Sequence, residues 1–170
     1  MRLLIVGDGG YGRLVAELAE LVGWNEIDFI DDSSPLAIGK ILELDNVQEQ
    51  YDGIIIAIGN PDTRKKIAQK AKKLISLIHP TAVVSKSAVI EPGCVLEANA
   101  VVSTGVRVGG CSFICAVAVV NHDASVGSFC QVDCNAVVSC GAVLNDGIKV
   151  ESSTVYKGEP SRAVGEGSFF

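Results

Sequence analysis

Two hydrophobic periods divide the chain. Residues 1 to about 75 alternate short apolar runs with helical stripes, and from Thr81 onward apolar positions recur at every sixth residue. In the first part LLIV, residues 3–6, reads as a strand. Leu14, Val15, Leu18, Leu21 and Val22 then form one stripe at the i, i+3/i+4, i+7 spacing of a helix. IDFI, which precedes Asp31 and Asp32, predicts a second strand, and GIIIAIGN, residues 53–60, predicts a third, buried one. Asn60 and Pro61 supply N-cap and first-turn signals for a helix over PDTRKKIAQKAKK, residues 61–73. The alternation is that of a βαβ-type half.

The second part divides without a gap into thirteen hexads, from TAVVSK at 81–86 to STVYKG at 153–158. The fourth place is apolar in every hexad, as in Val84, Ile90, Leu96 and Val102. The second place is mostly small, as in Ala82, Ala88, Cys94 and Ala100. A helix of period 3.6 cannot keep such a stripe on one face, whereas a coil of short strands with one inward residue per side stacks it indefinitely. The pattern predicts a parallel β-helix with three hexads per turn. The expected organisation is an α/β half over 1–77, the β-helix over 78–158 and a C-terminal tail over 159–170.

Composition narrows the class. Of the 170 residues 48% are hydrophobic but only 5% aromatic, so Val, Ile, Leu and Ala must fill the interior. Apolar runs such as Ile54 to Ile58 are far short of the ~20 residues of a spanning helix. Gly7 comes too early for a signal peptide, and a cytoplasmic protein without a membrane partner is expected. A net charge of −6 argues against a nucleic-acid partner. The one basic cluster, Arg64, Lys65, Lys66, Lys70, Lys72 and Lys73, reads as a solvated helix face. The six cysteines contain no C-x-x-C pair, so no metal site is expected and they read as small buried hydrophobes.

Candidate chemistry comes from two places. Gly7, Gly9 and Gly12 have the spacing G-x-G-x-x-G between a strand and a helix. About 75 residues hold only one mononucleotide-binding half, so a single nucleotide is expected rather than NAD. Gly9, Gly10 and Gly12 let the backbone approach a pyrophosphate at a helix start, and Asp31 and Asp32 can accept hydrogen bonds from a ribose or base. A tight strand-to-helix turn without ligand is the alternative. His79 precedes Pro80 where the chain enters the first coil, and a structural or solvent role suits it. His122 ends the hexad VAVVNH, at a corner open to a groove, flanked by Asn121 and Asp123. Taken alone, it reads better as a corner histidine satisfied by a backbone carbonyl than as a catalytic one.

The hexads, IAIGN followed by Arg64, LIHPTA, and NHD at its place in the repeat resemble the hexapeptide acyltransferases. The resemblance covers nearly the whole chain and is to the nucleotide-sugar acetyltransferase and sialic acid O-acetyltransferase family. It implies an α/β Rossmann-like half followed by a left-handed parallel β-helix. The implied activity moves an acetyl group from acetyl-CoA, as co-substrate, to an amino or hydroxyl group of a nucleotide-linked sugar, in surface-polysaccharide or glycan precursor synthesis. No tightly bound cofactor is implied. A homotrimer is, with active sites between subunits and outward residues such as Val83, Val89, Val95 and Val101 in need of cover.

The resemblance assigns His122 as general base with Asp123 orienting it. It places Gly10, Tyr11, Asp31, Asp32, Gly59, Asn60 and Arg64 on motif positions for the nucleotide sugar, beside Gly9 of the glycine loop; for acetyl-CoA the candidates are Gln131, Cys140 and Gly141 on the later coils and Arg162, whose local charge suits CoA phosphates. Backbone N–H groups near Cys140 and Gly141, one coil beyond His122, are the expected oxyanion donors. The chain departs from the family at Tyr11 and at Gln131, where histidine is frequent. It also departs in a shorter segment after His122, which ends YKGEPSRAVG. Two alternatives stand beside this reading: a cysteine nucleophile, Cys115 or Cys140, and a non-catalytic nucleotide-sugar-binding or structural β-helix protein. A γ-type carbonic anhydrase needs three histidines on zinc, and the hexads hold one.

Overall fold

A computed structural model describes residues 1–158. Its first part is a three-stranded parallel sheet of β1 (Arg2–Val6), β2 (Glu26–Ile30) and β3 (Gly53–Ile56), in the order β2-β1-β3. Helix α1 (Gly10–Leu21) connects β1 to β2, the short α2 (Leu44–Val47) lies between β2 and β3, and α3 (Pro61–Ala68) follows β3. Leu3, Ile5 and Ile55 pack on the α1 side of the sheet, while Leu4, Val6, Ile54 and Ile56 pack towards Leu44 and Ile67. Both faces of β1 and β3 are covered, which is why these two strands are continuous apolar runs.

Helix α3 stops at Ala68, five residues before the expected end. Lys70 and Ala71 close it by donating to the Ile67 carbonyl, and Leu74 then bridges to Ile54 beside β3. The 3₁₀ and α turns over residues 41–50 were not expected from the sequence.

From Leu77 the chain winds into the left-handed parallel β-helix. Every strand predicted by a hexad occupies its third and fourth places, from Val83–Val84 to Val155–Tyr156. Each pairs with the strand 18 residues away, as in Val101↔Val119, so three hexads make one coil. One further strand, Leu77–Ile78, starts the coil a hexad earlier than the period suggested.

The coils form a triangular prism. Its first face stacks Leu77–Ile78, Val95–Leu96, Phe113–Ile114, Gln131–Val132 and Lys149–Val150. The second stacks Val83–Val84, Val101–Val102, Val119–Val120, Val137–Val138 and Val155–Tyr156. The third stacks Val89–Ile90, Arg107–Val108, Ser125–Val126 and Val143–Leu144. Fourth-place and small second-place residues fill the prism interior. Ser112, the polar exception, is fully buried; its hydroxyl donates to the Gly127 carbonyl at 2.8 Å and accepts from the Cys130 amide at 3.0 Å.

The α/β half packs on the first face. Leu77, Val95, Phe113 and Cys115 share one apolar cluster with Leu3, Ile5, Val15 and Leu18. Val95, expected among the faces that a partner covers, is therefore buried within its own chain. Cys94, Cys111, Cys115 and Cys130 are buried as expected, whereas Cys134 and Cys140 are exposed. Among the described residues no helix is long and apolar enough to cross a membrane, and no cluster of three potential metal ligands occurs.

Candidate active site

The corner between the second and third faces carries His122 and Asp123. From Gly93 onward the first place of each hexad takes left-handed backbone, and Asp123 does so with φ 59°. Its amide donates to the Thr104 carbonyl of the coil below at 2.9 Å, and the His122 amide donates to Asn121 Oδ1 at 2.9 Å. With both backbones held, His122 Nδ1 lies 2.9 Å from Asp123 Oδ2. A carboxylate only accepts, so the Nδ1–H points at Asp123 and Nε2 is left with its lone pair. Both side chains are exposed, 58% for His122 and 71% for Asp123.

One coil above, Cys140 and Gly141 occupy the same corner. The Gly141 amide donates to the His122 carbonyl at 3.0 Å, so it is already spent within the coil. The Cys140 amide makes no hydrogen bond among the described residues. A Cβ added at Gly141 would meet nothing within 4 Å, so the space above the His122–Asp123 pair is open. Burial pushes the Cys115 thiol far up, which removes it as a nucleophile candidate.

The strand ends form the second part of the site. Gly7 has φ +107°, and a Cβ at Gly12 would lie 2.0 Å from the Gly7 carbonyl oxygen. These two glycines serve the tight approach of α1 to β1. Gly9 and Gly10 are exposed, and a Cβ on either meets nothing, so the start of α1 has room for a ligand. Gly59 is equally open at the end of the β3 segment.

Several predicted ligand residues are occupied by the fold. Asp31 accepts from the amides of Asp8, Ser33 and Ser34 at 2.9, 2.7 and 2.9 Å, and these bonds hold its carboxyl below the usual range. Asp32 is exposed and accepts the Ile41 amide at 3.0 Å through one oxygen, leaving the other free. Asn60 caps α3 by accepting from the Thr63 amide at 2.9 Å. Asp8 is folded inward, receives the Ser34 hydroxyl and faces Arg13 at 3.5 Å, so its charge is partly met away from the glycine loop.

Two assignments are corrected outright. Arg64 is only 1% exposed and donates to the carbonyls of Ile58, Gly59, Cys111 and Phe129 at 2.5–3.0 Å, with its guanidinium 4.1 Å from the centre of the Phe113 ring. It clamps the α/β half to the coils and has no donor to offer a phosphate. Tyr11 turns inward, its ring centre 4.8 Å from that of Phe113 and its hydroxyl buried. Arg162 lies outside the described residues.

Sequence reasoning missed Lys66 and Lys70, taken there only for a solvated face. With Asp32, Ile41 and Leu42 they line a groove of about 260 Å³ beside the end of β2. Their proximity to Asp32 depends on the unpredicted turns over 41–50.

One chain does not bring the two parts together. The α/β half covers the first face, and His122 stands on the opposite edge of the prism, where the other two faces meet. Gln131 points outward on the first face, next in the stack to Phe113, and so is also remote from its own His122.

Residues 2–71 match the family of the PglD N-terminal domain. The acetyltransferase domain of PglB from Neisseria gonorrhoeae FA1090 is 33% identical, with a TM-score of 0.87 over 92% of this chain and 82% of that one. The chain belongs to this hexapeptide-repeat acetyltransferase family. The same PglB domain is also solved in complex with acetyl coenzyme A, aligning with 31% identity over the same shares and a TM-score of 0.87. UDP-N-acetylbacillosamine N-acetyltransferase of Bacillus subtilis (strain 168) is 32% identical over 114 residues. The match covers 55% of this chain and 50% of the relative, so the chain spans half of that relative's length. PerB from Caulobacter crescentus, 20% identical with a TM-score of 0.61 over 92% of each chain, shares the fold.

Proposed function

We propose that the protein transfers the acetyl group of acetyl-CoA to an amino group on a nucleotide-linked sugar, with His122 as general base. The observation that carries this reading is the His122 Nδ1–Asp123 contact of 2.9 Å, which turns Nδ1 to the carboxylate and Nε2 to an open corner. The acceptor amine attacks the thioester carbonyl and gives a proton to Nε2. The oxyanion so formed needs a donor, and the Cys140 amide serves because Gly141 is spent. Collapse breaks the C–S bond, and the imidazolium returns the proton to the departing thiolate. No acyl-enzyme is required. The names of the relatives support the amine acceptor, and Gly9, Gly10 and the free oxygen of Asp32 support a nucleotide at the strand ends.

The test is release of free CoA thiol with a panel of UDP-, GDP- and dTDP-linked amino sugars and their hydroxy counterparts. Release stimulated by one amino sugar is the expected result. Binding of a nucleotide sugar without release would instead establish a binding protein.

The reading includes a homotrimer, because one chain separates His122 from the strand ends. The second face presents a ladder made wholly of valine, Val83, Val101, Val119, Val137 and Val155, with Val83 and Val155 63% and 58% exposed. Such a stripe calls for cover, and a second copy offers a flat coil of the same pitch. Assembly through it brings a neighbour's strand ends and Gln131 towards His122. Light scattering is expected to give about three times the chain mass of 17.8 kDa. Val119→Glu, which places a charge in the ladder, is expected to yield monomers without turnover. A wild-type monomer at micromolar concentration would sink the shared site.

A further inference from the structure

We propose that Gly105 is a positioning residue, whose missing side chain holds open the space in which Asp123 sits against His122 Nδ1. The proposal rests on the reading of His122 as general base. Ser87, Gly105, Asp123 and Gly141 stack at the first places of successive coils along this corner. A Cβ on Gly105 would lie 2.5 Å from Asp123 Oδ1, the oxygen opposite the one that meets His122. The carboxylate would have to swing away, and its aim at Nδ1 would be lost.

Backbone conformation does not account for the glycine. Gly105 has φ +72°, yet Asn99, Cys111, Val117, Phe129 and Asn135 hold φ of 54–62° at the same place of other hexads. The coil therefore accepts side chains there, including a β-branched one. What distinguishes position 105 is the carboxylate directly above it. Gly147 gives a matched comparison: its φ is +73°, but its Cβ would meet only Pro61, at an ordinary 3.7 Å.

The other ionisable groups in the His122 column are Lys86, two coils below, and Cys140, one above. Substitution at 105 leaves both in place, so a change at the imidazole reports the Asp123 carboxylate.

The test reads the tautomer directly. The chain has two histidines, so ¹⁵N-histidine labelling with His122→Ala for assignment isolates the ring. At alkaline pH, where imidazole is neutral, wild-type His122 is expected in the Nδ1–H form. Gly105→Ala is expected to lose that form as Asp123→Ala does, while Gly147→Ala keeps it. Turnover by Gly105→Ala should fall about tenfold in kcat with both KM values within about twofold, as for a misaimed base.

Retention of the Nδ1–H form in Gly105→Ala, or its absence from the wild type, would overturn the proposal. Should Gly105→Ala not fold, Gly105→Asn introduces the same Cβ with a residue type found at Asn99 and Asn135. If both fail while Gly147→Ala folds, Gly105 is a folding residue and the proposal falls. Loss of the Nδ1–H form in a protein that turns over no sugar would sustain the positioning role and sink the acetyltransferase reading.

Discussion

Replacing His122 by alanine is expected to lower kcat by about 10²- to 10⁴-fold, the range for loss of a general base. The KM for the nucleotide sugar should change little, because the proton moves only as the new bond forms. The fold should be indifferent. His122 is an exposed corner residue whose side chain joins no apolar cluster, and both of its backbone hydrogen bonds, to Asn121 Oδ1 and from the Gly141 amide, survive the change. A surface substitution of this kind costs within about 0.5 kcal/mol, which in a chain of this length moves Tm by about 2 °C or less. Asp123→Ala should cost less in kcat, about tenfold, because an exposed, screened carboxylate holds its partner weakly. Stopped-flow thiol release and thermal melts on the same preparations check both. If His122→Ala lowered Tm and sugar affinity in step with kcat, the histidine would be a structural corner residue.

The β-helix was legible because each hexad restates the same constraint, an inward apolar fourth place above a small second place. The first coil strand escaped because Ser76 fills the second place of ISLIHP, where most of the following hexads carry Ala or Cys. The His122–Asp123 pair was readable because its members adjoin in sequence and the repeat puts them on a corner. Tyr11 and Arg64 were misread for the opposite reason. Their partners lie far along the chain, 47 residues on for Cys111 and 65 for Phe129 in the case of Arg64. A motif position names a residue type and says nothing of which carbonyls will surround it. Asp31 and Asn60 sit where ligand contacts were expected, but backbone amides reach their oxygens first: those of Ser33, Ser34 and Thr63 nearby in sequence, and that of Asp8 on the adjoining loop.

Arg64 therefore supplies a decisive contrast between a ligand residue and a structural one. Arg64→Met, which keeps an unbranched stem over Phe113 but removes every donor, is expected to destabilise the protein by about 3–5 kcal/mol. Five carbonyls lose a partner at once, two on the loop after β3 and three on the β-helix. Burial already pushes the guanidinium pKa down from its ordinary value, and among the described residues no carboxylate is a hydrogen-bond partner. The positive charge is held instead by carbonyl dipoles and by the face of Phe113. Arg64→Lys should recover little, since an ammonium cannot fork across carbonyls on two separate elements. In a chain of this length the loss corresponds to a fall in Tm of about 10 °C, and the α/β half should become more susceptible to proteolysis than the coils. Saturating nucleotide sugar should not reverse the contrast between wild type and variant. If Arg64→Met melted like the wild type and instead raised the KM for the nucleotide sugar, the guanidinium would belong to the ligand, and the clamp between the two halves would have to be sought elsewhere.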